Sequence, residues 1–202
     1  MSDATPPSPP SPILPYLSAP RAPRLAWRAP LAWLIFLLTA TLGIYADLAT
    51  KAYAFPNPVD PNSPINGLQP LEPAVIIPGV LEFITTVNRG AVFGMMQGKG
   101  YLFVPFSFVA LAAVIMVFAR SRSQQWVLHL ALGLIVAGAI GNLYDRLMFQ
   151  CVRDFLRFSV SWYRYIFNVA DALLCIGVPL LMLCWVLEPT PKSSPATTEV
   201  KS

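Results

Sequence analysis

Four of the ten acidic residues in this 202-residue chain, Asp47, Asp145, Asp154 and Asp171, stand among other polar residues at spacings that could do chemistry. Asp47 and Lys51 are at i,i+4, and Asn142, Asp145 and Arg146 are at i, i+3 and i+4, so each group shares one face of a helix. Asn168 and Asp171 are at i,i+3, and Asp154 lies between the two sets. Two carboxyls held close together in a low dielectric cannot both ionise and therefore share a proton. One then acts as general base on a water while the other donates a hydrogen bond to a substrate carbonyl, which is how aspartic peptidases hydrolyse an amide. Rival chemistries lack residues. His129 is the single histidine, no Gly-x-Ser-x-Gly elbow occurs, and Cys151, Cys175 and Cys184 follow no disulfide or zinc spacing. Lys51, Arg146 and Arg153 disfavour a cation held by Asp47, Asp154 and Asp171, so neither metal nor cofactor is expected.

The elements that must position these residues are membrane spans. Hydrophobic residues make up 55% of the chain and charged ones only 12%, about half the usual share for a soluble domain, and the mean hydropathy is +0.58. A net charge of +4, scattered along the chain, gives no nucleic-acid footprint. Proline marks the non-helical parts: nine of 21 fall in residues 1–30 and seven in 56–78. The first stretch reads as a disordered cytoplasmic tail and the second as part of a loop. Four apolar runs follow the tail, giving spans at about 31–55, 101–119, 126–144 and 165–187, each close to the roughly 20 residues that cross a bilayer. They make one four-helix transmembrane domain over 31–188, with outer loops 56–100 and 145–164 and a short cytoplasmic tail at 189–202.

Arg21, Arg24 and Arg28 before the first span favour a cytoplasmic N-terminus, and four crossings return the C-terminus to the same side. Alternation then gathers Asp47, Asp145, Asp154 and Asp171 in one layer near the outer surface. Asp171 lies six residues into the fourth run, where an ionisable group needs a partner. A small proton-coupled transporter would also use membrane carboxylates, but it needs polar groups along the depth of the spans, and the inner halves hold almost none.

Five motifs carry a resemblance. Asp47-Leu48-Ala49-Thr50-Lys51, Asn88-Arg89-Gly90-Ala91-Val92-Phe93-Gly94, Gly138-Ala139-Ile140-Gly141-Asn142-Leu143-Tyr144-Asp145-Arg146, Val152-Arg153-Asp154-Phe155 and Phe167-Asn168-Val169-Ala170-Asp171 together resemble, in order, the lipoprotein signal peptidase family, also called signal peptidase II. The resemblance implies a bacterial inner-membrane aspartic endopeptidase with its site facing the periplasm or outside. It would remove the signal peptide from diacylglyceryl-modified prolipoproteins, cutting just before the lipidated cysteine. The substrate and membrane lipid are then its partners, and the chain is expected to act as a monomer. Carried over, the catalytic dyad is Asp154 and Asp171. Asn142, Arg146 and Asn168 orient dyad or substrate, Asp47 and Lys51 form a supporting pair, and Asn88 and Gly90 make an outer-loop contact. The implied fold is all-α with four spans, plus a small β-cradle and a short helix within 78–99. Leu48 stands where many members have Gln, and Arg153 where an apolar residue is common; along a strand its side chain would point away from Asp154.

Overall fold

The computed structural model describes residues 24–56, 73–90, 102–160 and 163–187. Most of the expected tails, residues 57–72 of the first outer loop and the part of 78–99 that follows Gly90, where a short helix was expected, lie outside them; the end of the expected disordered tail does not, because Ala26–Arg28 forms a 3-10 helix. Four helices are long and apolar enough to cross a membrane: α1 (Pro30–Ala54), α2 (Phe103–Arg120), α3 (Trp126–Phe149) and α4 (Val169–Val186). Pro30 opens α1, where its fixed φ suits the helix and its missing N–H costs nothing. Pro105 falls in the first turn of α2 for the same reason. α3 ends on Gln150, whose φ of 56° places it in the left-handed region.

The remaining elements form one antiparallel sheet of order β1-β2-β3-β4, from β1 (Ala74–Ile77), β2 (Leu81–Asn88), β3 (Val152–Val160) and β4 (Tyr163–Phe167). A β-region was expected within 78–99 alone. Instead half of the sheet comes from the loop between α3 and α4, and β2 pairs with β3 across two intervening helices. The fourth span, expected from Tyr165, accordingly begins at Val169. Tyr165 and Phe167 pair with Phe158 and Leu156 in β3, and Asn168 then caps the helix. The third span, expected to end at Tyr144, runs on to Phe149.

α3 is the central helix. Two thirds of its most apolar window (67%) is buried inside the protein, against 28% for α1 and 11% each for α2 and α4, and it packs on all three. Leu34, Leu38, Phe106, Val109, Ile176 and Met182 face outward on the other helices, as side chains do when lipid is their solvent. Close packing on α3 depends on small residues, as expected where no hydrophobic drive separates helix from lipid. Gly141 is the critical one: a Cβ there would run into the Asp47 carboxylate and lie 3.2 Å from the Ala170 Cβ. Gly141→Ala is therefore expected to cost about 1–3 kcal/mol of stability by overpacking. Thermal unfolding in detergent would show it, and an unchanged midpoint would mean that Asp47 has room to move.

Candidate active site

The polar layer sits where the C-terminal ends of α1 and α3 meet the N-terminus of α4 and strand β3. Its base is a charge-balanced cluster of two acids and two bases. Lys51 Nζ lies 2.8 Å from Asp47 Oδ2 and 3.3 Å from Asp145 Oδ2, with all three side chains fully buried. Asp145 is also gripped by Arg153, whose Nη2 and Nε approach Oδ1 at 2.8 and 3.2 Å and whose backbone N–H donates to Oδ2 at 2.9 Å. The Arg153 guanidinium lies 4.5 Å over the Phe149 ring. Asp47 Oδ1 accepts from the Ala170 backbone N–H at 2.8 Å, fastening α1 to the start of α4. Buried charges persist only when paired and hydrogen-bonded in this way.

The cluster dictates the orientation of the amides above it. Lys51 can only donate, so the Asn142 oxygen must face it, at 3.2 Å, which turns Asn142 Nδ2 toward Asp171 Oδ1 at 2.8 Å. Asn168 is fixed by the same logic. Its oxygen accepts the Asp171 backbone N–H at 3.0 Å while the Asp171 carboxylate accepts the Asn168 backbone N–H at 3.3 Å, a reciprocal capping box that starts α4. Asn168 Nδ2 is thereby left to donate to Asp154 Oδ1 at 2.7 Å, with Asn142 Oδ1 and the Arg153 carbonyl also in reach. One asparagine thus bridges the two carboxyls.

Asp154 is 3% exposed and pairs across the sheet with Thr86, beside Asn88. Burial first, and the negative charge of Asp171 second, push its carboxyl up to about 7, against the hydrogen bonds of Asn168 and Asn88 and the attraction of Lys51. Asn88 Oδ1 also accepts the Gly90 backbone N–H at 3.0 Å, which ties the end of β2 to the same corner. Arg146 donates Nη1 to the Asn142 carbonyl at 3.4 Å and lies 5.3 Å over the Phe103 ring, while its buried Nε has no hydrogen-bond partner among the described residues. Cys151 sits nearby, but burial and Asp145 push its thiol up to about 11, so it holds no thiolate at neutral pH.

The raised Asp154 value has a stability consequence. The folded protein binds this proton more tightly than the unfolded chain, whose carboxyl has an ordinary value of 3.8. Its contribution is complete below about pH 4 and is lost as pH rises toward 7. Asp154→Asn, which cannot ionise, should therefore melt progressively higher than the native protein between about pH 4 and pH 8. A difference that stays constant with pH would contradict the assignment.

The nine residues carried over by the resemblance, Asp47, Lys51, Asn88, Gly90, Asn142, Arg146, Asp154, Asn168 and Asp171, lie at this end of the molecule. Asp145, the fourth acid of the sequence pattern, and Arg153 belong with them. Asp145 is the hub joining Lys51 to Arg153, and Arg153 does point away from Asp154, onto Asp145. Of the aromatic covers, Phe149 lies just before the arginine it shields, Arg153, whereas Phe103 is two helices away from Arg146 in sequence and had no readable signal.

A family model described as signal peptidase (SPase) II matches residues 39–187. A lipoprotein signal peptidase of Desulfitobacterium hafniense is 38% identical over 117 residues, covering 58% of this chain and 76% of its own. Another, of Syntrophotalea carbinolica, is 34% identical over 156 residues, covering 74% of this chain and 89% of its own. Two solved structures described as bacterial membrane enzymes determined by the in meso method superpose with TM-scores of 0.65 and 0.60 at 27% and 29% identity, covering 81% and 76% of this chain.

Proposed function

Since the chain belongs to the signal peptidase II family, a family of membrane proteases, we propose that it cleaves the signal peptide from diacylglyceryl-modified prolipoproteins, just before the lipidated cysteine, with Asp154 and Asp171 as an aspartic dyad. The observation that carries this reading is the pair itself. Asn168 bridges the two carboxyls, donating Nδ2 to Asp154 and its backbone N–H to Asp171, and Asp154 is held near neutral while Asp171 bears on it as a charge. Asp171, oriented by Asn142, takes a proton from a water as it attacks the scissile carbonyl carbon, and protonated Asp154 donates to the carbonyl oxygen. Collapse of the tetrahedral intermediate breaks the C–N bond, and the proton passes from Asp171 to the departing amine. Arg146, with its uncommitted buried Nε, holds a backbone oxygen of the substrate, and Asn88 and Gly90 shape the wall opposite.

The substrate explains the depth of the site. Acyl chains hold the modified cysteine at the membrane surface, at about 0.8 kcal/mol per buried methylene. A dyad on β3 and the first turn of α4 meets the bond at that level. On this reading both termini lie in the cytoplasm, as the arginines before α1 favour, the dyad lies on the far side of the inner membrane, and the peptidase domain spans 31–188 and acts as a monomer. The direct check is cleavage of a diacylated prolipoprotein and its unacylated counterpart by the purified protein in detergent. Cleavage of the acylated form with a free lipidated cysteine at the new N-terminus is expected. Equal cleavage of both forms, or a cut elsewhere, would refute the reading.

A further inference from the structure

The end of the bundle opposite the dyad carries a feature that peptide hydrolysis does not use. There α2 ends at Arg120, a short turn follows, and α3 starts at Trp126. Two grooves of about 360 and 340 Å³ flank this turn and meet at Arg122, Gln125 and Leu128. The first runs along Met116 and Val117 of α2 and reaches Trp185 of α4. The second runs between Val127 of α3 and Leu183 and Leu187 of α4. The walls are apolar and belong to membrane-spanning helices, whereas the shared mouth is polar. Arg120 and Arg122 stand exposed at that mouth, and neither guanidinium has an acidic partner among the described residues.

The turn is also built to hold its shape. The segment before α1 pairs with it as a small antiparallel bridge, Leu25 to Arg122, with Ala26 N–H donating to the Ser121 carbonyl at 2.9 Å and Ser123 N–H to the Arg24 carbonyl at 2.8 Å. Gln125 Oε1 accepts the Arg122 backbone N–H at 2.6 Å, and Ser121 Oγ lies 3.0 Å from His129 Nε2. The backbone of the mouth is thus fixed by its own contacts, which leaves both guanidinium groups for a ligand.

We propose that this is a binding site for one anionic diacyl phospholipid, its phosphate between Arg120 and Arg122 and one acyl chain in each groove. Two apolar channels leaving one cationic mouth match a two-chain anionic lipid, and basic pockets between helices at a membrane face are where such headgroups bind. Trp126 and Trp185, both exposed at this level, are placed as interfacial aromatics are. The site needs no assumption about which leaflet it faces and is independent of the peptidase reading.

The test uses the full chain in neutral detergent and follows quenching of tryptophan fluorescence by phosphatidylglycerol or phosphatidylcholine carrying brominated chains. The native protein should half-saturate with phosphatidylglycerol at about a thirtyfold lower mole ratio than with phosphatidylcholine, the factor two basic contacts supply. Arg120→Gln/Arg122→Gln should erase that preference while keeping the native thermal unfolding midpoint, which reports that it is folded, and Trp185→Phe should remove much of the quenching. Excess glycerol phosphate should fail to displace the lipid. Equal affinity for the two lipids, a preference that survives in the double variant, quenching unaffected by Trp185→Phe, or displacement by glycerol phosphate would each overturn the proposal.

Discussion

Asp154→Asn and Asp171→Asn are each expected to lower cleavage of a diacylated prolipoprotein by about 10²–10⁴-fold or more, the range over which positioned acid and base groups act, without unfolding the protein. Asn at 154 still offers an oxygen to Asn168 Nδ2, which ties β3 to α4, and Asn at 171 still offers one to Asn142 Nδ2, which ties α3 to α4, with only the Asn168 backbone N–H losing its acceptor. What is lost is the proton in one case and the base in the other. Because the two groups act as a unit, the double variant should be no slower than the worse single one. Multiplicative losses would mean that the carboxyls act independently, and an active single variant would remove that residue from the chemistry.

The largest effect on stability is expected from Lys51→Met. Removing the ammonium leaves Asp47 and Asp145 as buried carboxylates, of which only Asp145 keeps a cation, Arg153. Breaking a buried pair in this way costs about 3–5 kcal/mol. The loss reaches the dyad as well. Without Lys51 the Asn142 oxygen keeps only Asn168 Nδ2, which Asp154 shares, as a donor, and the Nδ2 donor to Asp171 is held less firmly. Thermal unfolding should show a large drop together with weak cleavage. Lys51→Met/Asp47→Leu, which removes both ends of the pair, should recover much of the stability. If the double variant is as unstable as the sum of the singles, the two residues do not form the coupled pair described.

The readable parts of this fold were those in which the bilayer dictates the pattern. Runs of about 20 apolar residues announce spans, and Pro30 and Pro56 bracket α1 almost to the residue. The start of α4 was misread because Tyr165, Ile166 and Phe167 are as apolar as the helix that follows, so hydropathy merges a strand into a span. The true boundary was written in Asn168 and Asp171, a capping box three residues apart. Alternation along β3 was present too, but its pairing with β2, about 70 residues earlier in sequence, belongs to tertiary register. Within the site, the i,i+4 spacing exposed the Asp47–Lys51 pair. The bond from Arg153 to Asp145 and the bridging role of Asn168 depend on how separate elements meet, and no local spacing encodes that.

The proposed mechanism requires that the dyad hold one proton, on Asp154, up to a pH near 7. Infrared spectroscopy of the full-length protein, isolating the carbonyl stretch of a protonated carboxyl by difference against Asp154→Asn, reads it directly. The expected band is present at pH 6, absent from the variant and lost with a midpoint near 7. A native protein without that band above pH 5 would show both carboxyls ionised and would contradict the mechanism.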